Sequence, residues 1–497
     1  MRPRRPWRPG AALTAAALAA ALACSAGKPF RCPARGGPPW QQLVSDHFVL
    51  RTDLPADRAG EMMGDLERLR AAIRGALFAD APQPPGRIEV IAFRSDAEFA
   101  PFAPEGNAGY YFRYAGGPPR IVLSGAIRSW QRILLAHELT HHFLAGAFVR
   151  RPAWFAEGLA VYMESISPGR PGEPVVVGEP PPARIDRARK SGVGVRQLLA
   201  WDGGPRPDAL DYYARSWLLV HYLVHERGQD FAALQARLAA GAPPAEAWSQ
   251  TFPEYAPEAG TGPEALDQLL KRYAFGPLER TRKPIEVPIA IGYQARPEPP
   301  AEVHALRLAL WPYGPRKPAA QLRAEVEEML REDADHPLAL QMLAQLDGTD
   351  PLPLARRAVE AHPEDPRAWT FLGHSLILPG SGEARVDAYR KAVDLAPENP
   401  AALYNLAQEL LEQGRSGEGL PPARRAAQLA PWSPPLLAGF AAVLSDLGQC
   451  DAAIPIQQRA LEALPERGGV EARGELLRGL DRYERQCSHP AMAPGTP

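Results

Sequence analysis

The sequence predicts two folded parts in series, an α+β domain over residues 40–275 and an all-α helical-repeat domain over residues 301–485. Three observations carry that expectation. Short runs of β-branched and aromatic residues alternate with amphipathic stretches as far as Tyr273. Past residue 300, prolines recur every 34 residues, at Pro363, Pro397, Pro431 and Pro465. The chain, at 497 residues, is also too long for one ordinary core.

Taken in order, the first segment is not part of the fold. Arg2, Arg4, Arg5 and Arg8 precede an apolar run of 13 residues from Ala11 to Ala23. That run is too short to span a bilayer comfortably and suits the core of a secretion signal. Ala21-Leu22-Ala23 reads as a cleavage site, so residues 1–23 are expected to be a signal peptide of an exported bacterial envelope protein. Cys24 comes next, and two outcomes stay open. Either Cys24 is acylated, giving a periplasmic or outer-membrane lipoprotein, or the chain is secreted without an anchor. Leu22 stands two residues before Cys24, where the usual lipoprotein signal has its leucine three before. Residues 24–39 read as a linker. Export permits disulfides. Cys450 and Cys487 could pair, but the cysteines have no metal-binding spacing.

The α+β part begins with a strand at His47–Thr52 and a helix from Ala56 to Phe78, with Met62, Leu66, Leu69, Ile73 and Leu77 on one face. Arg87–Phe93 is a second strand, and Ser95 or Asp96 caps a short helix that includes Phe99 and Phe102. Gly109–Tyr114 and Ile121–Leu123 read as strands joined by a tight turn. The former could be an edge that accepts an extended peptide or a buried strand. A long helix follows from about Arg128 to Ala147.

That helix carries His137-Glu138-Leu139-Thr140-His141. Its two imidazoles lie one helical turn apart on one face, the spacing a tetrahedral zinc takes from a single rigid element. With 11 His and 57 acidic residues, such a motif is expected by chance at most about 0.03 times. Glu157, in Trp154-Phe155-Ala156-Glu157-Gly158-Leu159-Ala160-Val161-Tyr162, follows His141 by 16 residues after a turn at Arg150-Arg151-Pro152. A helix that reverses direction there brings Glu157 beside the histidines. Two histidines, a glutamate and an open fourth position make a catalytic rather than a structural zinc arrangement.

These stretches resemble the gluzincin metallopeptidases, most closely the bacterial peptidase MA-like members, over roughly residues 40–275 and most specifically at 137–162. The resemblance implies a zincin-like fold and a Zn2+ cofactor held by His137, His141 and Glu157. It implies Glu138 as the general base, and a downstream tyrosine that donates to the oxyanion of the tetrahedral intermediate. Tyr213 is the candidate for that tyrosine, with its neighbour Tyr212 as the other choice. No G-x-M-E-N segment is present, so an amino-terminus-binding exopeptidase site is not supported. His142 is one position off the ligand face and reads as a bystander. Glu164 reads as a solvated helix residue, and His221 with His225 as packing residues rather than a second metal site.

Within each 34-residue period the large and small positions also align. Trp369, Leu403 and Leu437 correspond, as do Leu372, Leu406 and Phe440, and Gly373, Ala407 and Ala441. This pattern resembles the tetratricopeptide family, with three full repeats and a shortened one at Pro337–His362 before them. Residues 276–300, with Lys283-Pro284-Ile285-Glu286-Val287-Pro288, read as a linker, and residues 486–497 as a disordered tail. The balance of 56 basic against 57 acidic residues argues against a nucleic-acid partner. The function expected is therefore an exported zinc peptidase acting on a peptide or protein substrate, with repeats that dock a protein partner. Membrane contact would come only through Cys24. The alternative is an envelope repeat scaffold whose first domain binds metal without catalysis.

Overall fold

A computed structural model describes residues 31–488 apart from 80, 82, 104–108, 113–116, 126, 128, 168–172, 205, 312–317 and 465–469. The signal peptide, Cys24 and residues 489–497 lie outside the described residues, as does part of the turn expected after Gly109–Tyr114.

The chain is mostly helical, built onto one mixed sheet. Its strands are β1 (Gln41–Val44), β2 (Phe48–Thr52), β3 (Ile88–Phe93), β4 (Gly109–Phe112), β5 (Arg120–Ser124) and a late strand, Gln294–Pro297. β2, β3 and β5 are parallel neighbours, with β4 antiparallel on one flank and β1 antiparallel on the other. Parallel neighbours need a crossover. Helix α1 (Ala56–Leu77) joins β2 to β3, and short α2 (Asp96–Phe99), capped by the Ser95 side chain, follows β3. β3 is buried at all six positions because both of its faces are covered. Ile88, Val90 and Ala92 pack with the apolar stripe of α1, and Ile91 and Phe93 pack on the other side with Phe99 and Phe102.

After the sheet come α3 (Ser129–Ala147), α4 (Ala153–Met163), strand β6 (Val175–Val177), α5 (Pro182–Lys190) and α6 (Val195–Leu199). Then follow α7 (Ala209–Glu226), α8 (Gly228–Ala239), α9 (Pro244–Thr251) and α10 (Gly262–Phe275). Gly158 fixes how α4 crosses α7. A Cβ there would meet Val220 Cγ2 at 2.5 Å and the Ser216 carbonyl oxygen at 2.7 Å, so only a glycine permits this approach.

Residues 276–300, expected as a linker, belong to the folded sheet domain. β7 (Thr281–Lys283) pairs with β6, and β8 (Gln294–Pro297) pairs with β1 to complete the six-stranded sheet. The next helix, α11 (Pro300–Leu310), was expected to open the repeats. Instead its Val303, Leu306 and Leu310 lie on Trp40, Ile91, Phe93 and Val122 and cover the second face of the sheet. The expected boundary at residue 301 thus cuts through a core. At the other end, residues 486–488 continue a helix rather than starting a tail.

After α11 and α12 (Ala319–Glu332) the repeats form four helical hairpins: α13 (Pro337–Asp347) with α14 (Leu352–Ala361), α15 (Pro366–Ser375) with α16 (Gly382–Leu395), α17 (Pro400–Glu412) with α18 (Ser416–Leu429), and α19 (Pro434–Asp446) with α20 (Cys450–Glu462). α21 (Val470–Ser488) packs on the last of them. The recurring prolines at 366, 400 and 434 occupy the first helical turn, where their missing N–H costs nothing. Asp365 and Asn399 cap those helices with side-chain oxygens that accept backbone N–H groups. Gly380, Gly414 and Gly448, again 34 apart, turn the last three hairpins with φ of 85°, 70° and 71°. Cys450 has no disulfide partner among the described residues. The side chain of Cys487 lies outside the described residues.

The repeats fold back onto the sheet domain. Ala145 of α3 packs among Leu403, Ala426, Leu429 and Trp432, and the rings of His142 and Trp432 are 6.0 Å apart. Arg150 and Glu462 form an ion pair across the same seam. His142, expected as a bystander off the ligand face, is buried against the repeats.

Candidate metal centre

α3 presents His137 and His141 on one face because they are four residues apart, and the reversal at Arg150–Pro152 lays α4 alongside so that Glu157 points at them. The Nε2 atoms of the two histidines are 3.2 Å apart. Glu157 Oε2 is 3.3 Å from His137 Nε2 and 3.5 Å from His141 Nε2. Among the described residues this is the one cluster of histidine, cysteine or carboxylate atoms suited to a metal. The three separations can be tested against zinc itself. Tetrahedral bonds of about 2.0–2.1 Å place neighbouring ligand atoms about 3.3 Å apart. The triangle has that size, so the residues fit the ion.

The electrostatics point the same way. Burial alone would raise the Glu157 carboxyl, but contacts with both histidines outweigh it and hold the group at about 2. Burial would lower His137, yet Glu157 and Glu164, with Glu138 further off, raise it to about 10. Two imidazoles and a carboxylate converging on one point call for a cation at that point.

Sequence reasoning missed what holds His137. Glu164, expected in solvent, is largely buried with its Oε1 3.1 Å from His137 Nδ1. Arg184 of α5 grips the same carboxylate at 3.0 and 3.3 Å. With Nδ1–H donating to Glu164, the Nε2 lone pair is left to face the centre. The signal was present in the spacing. Glu164 lies seven residues past Glu157, close to two full helical turns, and so returns to the same face.

The two tyrosines separate clearly. Tyr212 is buried against Trp201 at 5.0 Å, with Arg206 over its ring. Tyr213 is half-buried beside the centre; burial pushes its hydroxyl up, and the carboxylates of Glu157 and Glu138 push it further. Glu138, next to the first histidine, is half-buried on the same side. The structure thus brings Glu138, Tyr213 and the three ligand candidates together. His221 and His225 stack at 4.3 Å away from them. Both nitrogens of His221 are engaged, by the Tyr273 hydroxyl and by the Glu279 carbonyl.

Comparisons with known proteins bear on the C-terminal part. Residues 388–420 match the family model of the tetratricopeptide repeat. Solved structures similar to this chain include a MamA protein, 16% identical, covering 35% of this chain and 87% of that one with a TM-score of 0.25. Another is a thermophilic tetratricopeptide protein of Thermus thermophilus, 17% identical over 36% of this chain and 94% of that one, TM-score 0.28. YrrB, described as a repeat protein with an unusual peptide-binding site, is 15% identical over 33% and 85%, TM-score 0.28. No curated protein matches. The matched segment and the hairpins with their 34-residue spacing make the C-terminal part a tetratricopeptide repeat array, an architecture suited to docking proteins or peptides.

Proposed function

We propose that this chain docks a protein partner through its repeats and hydrolyses peptide bonds at a zinc centre of the gluzincin type. The observation that carries the second half is the ligand triangle, with sides of 3.2, 3.3 and 3.5 Å. His137, His141 and Glu157 would hold the ion. Zinc supplies Lewis acidity, which activates water and polarises a carbonyl. The other roles belong to the chain. Glu138 accepts the proton from the attacking water and passes it to the leaving amine. Tyr213, kept protonated by burial and by the carboxylates of Glu157 and Glu138, donates its hydroxyl to the developing oxyanion. Glu164 and Arg184 fix the ring of His137. β4, an outer strand of the sheet, offers backbone groups to an extended substrate. Export to the bacterial envelope, with or without an acylated Cys24, belongs to the same reading.

A second reading keeps the docking and the metal without the hydrolysis: an envelope scaffold. The match to a repeat family supports its docking part.

Glu138→Gln tells the two apart. Under the peptidase reading the variant keeps about one zinc per chain and loses hydrolysis by a factor of about 10²–10⁴. The test is metal analysis together with a proteome-wide cleavage comparison of wild type and variant. Identical cleavage patterns would leave the scaffold reading, and absence of bound zinc in the wild type would remove the metal centre from both.

A further inference from the structure

We infer that the seam between α3 and the last two hairpins is a docking groove for an acidic peptide segment of a partner protein. The groove holds about 570 Å³, within the range of clefts that take specific ligands. His142, Ala145 and Gly146 of α3 form one wall, and α18 and α20 with the loop at Trp432 form the other. Its charge is one-signed. Arg424, Arg425 and Arg459 line it, and no aspartate or glutamate does among the described residues.

Arg425 is tied to Glu398 at 2.9 Å. Among the described residues, Arg424 and Arg459 have no carboxylate partner. Several other arginines of the repeats are paired, as in Arg385 with Glu409 and Arg415 with Glu383. Arg459 is half-buried, and burial pushes its guanidinium down with no acid to offset it. A cation held partly out of water without a counter-charge is costly, and an incoming carboxylate would relieve that cost. Around it, Trp432, Phe440 and Ile456 supply an apolar wall. Acidic side chains flanking one apolar residue therefore match what the groove offers. The cavity on the inner face of the repeats, in contrast, carries Glu475 as well as Arg482 and has no such preference.

The groove gives the docking function a place and a chemistry. It lies about a quarter turn round α3 from His141, and its occupancy is read by binding alone, whether or not the centre hydrolyses anything.

The test selects short random peptides displayed on phage against the full chain, then measures the enriched peptides by fluorescence anisotropy. The expected peptides carry aspartate and glutamate around an apolar residue. The double variant Arg424→Gln/Arg459→Gln should weaken their binding about tenfold, as should high salt. Those arginines make no ion pair within the fold, so the variant should melt like the wild type. Gly146→Glu is an independent block: the position is exposed, a Cβ there meets Pro84 at no less than 3.5 Å, and the added carboxylate should abolish binding. Failure to select any binder would overturn the proposal. So would peptides without net negative charge, affinities unmoved by either variant, or a preference for a DNA oligonucleotide.

Discussion

The carboxylate of Glu164 decides which nitrogen of His137 is free, and through it the readiness of the whole triangle. Glu164→Gln removes the charge but keeps the shape, so the fold should survive while zinc affinity drops by about 10–100-fold. A competition titration with a chelator measures this, and an affinity equal to wild type would mean that His137 needs no such support. His221 makes a different kind of prediction. The Glu279 carbonyl can only accept, so Nε2 carries the proton and Nδ1 accepts from the Tyr273 hydroxyl. Burial, then the neighbouring His225, lower its pKa from 6.5 to about 4. Between those values the unfolded chain binds more protons than the folded one, so stability must fall as pH drops from about 6.5 toward 4. The loss reaches about 3 kcal/mol and should be missing from His221→Asn in chemical denaturation across that window; an equal loss in the variant would assign it to other groups. At this scale the cluster of His137, His141 and Glu157 was legible because its members stand at fixed spacings in the sequence. Glu164 was not, since it depends on counting turns, and Arg184 was not, since nothing local in the sequence ties α5 to α4.

Among the elements, α4 has little freedom to move on α7, because Gly158 sits against the backbone of α7. Gly158→Ala should cost about 1–3 kcal/mol, as overpacking in a filled core does. It should also loosen zinc, since the push on α4 shifts its neighbour Glu157. Thermal melts with and without zinc check both effects, and a melt unchanged from wild type would mean that the two helices can part cheaply. The elements with a strong period could be read in advance: α1 by its apolar stripe, α3 by its length and the repeats by their 34-residue interval. β8 could not. Gln294-Ala-Arg-Pro297 is exposed at every position and joins β1 through backbone groups, leaving no alternation to detect. β1, as Gln-Gln-Leu-Val, gives hardly more.

At the scale of the molecule, the sheet domain ends at α11 and not at residue 275. A chain stopped after Phe275 lacks β8 and leaves Trp40, Ile91, Phe93 and Val122 uncovered. It should aggregate or unfold without a cooperative transition, whereas one stopped after Trp311 should keep the sheet. Equal solubility and equal melts of the two would contradict this. The 34-residue interval announced the repeats, but where the sheet part ends lay hidden, because a short exposed strand and an amphipathic helix look alike whether they serve a sheet or open a solenoid. One consequence concerns how the array comes apart. Repeat arrays ordinarily fray from their ends, each unit held only by its neighbour. Here the first hairpins are pinned to α11 through Glu302, which binds both His336 and Arg367. The last two are pinned to α3 through Trp432 and through the ion pair of Arg150 with Glu462. An array tethered twice to the same body is a closed loop between its tethers, and only α21, beyond the second of them, is left to unzip from an end.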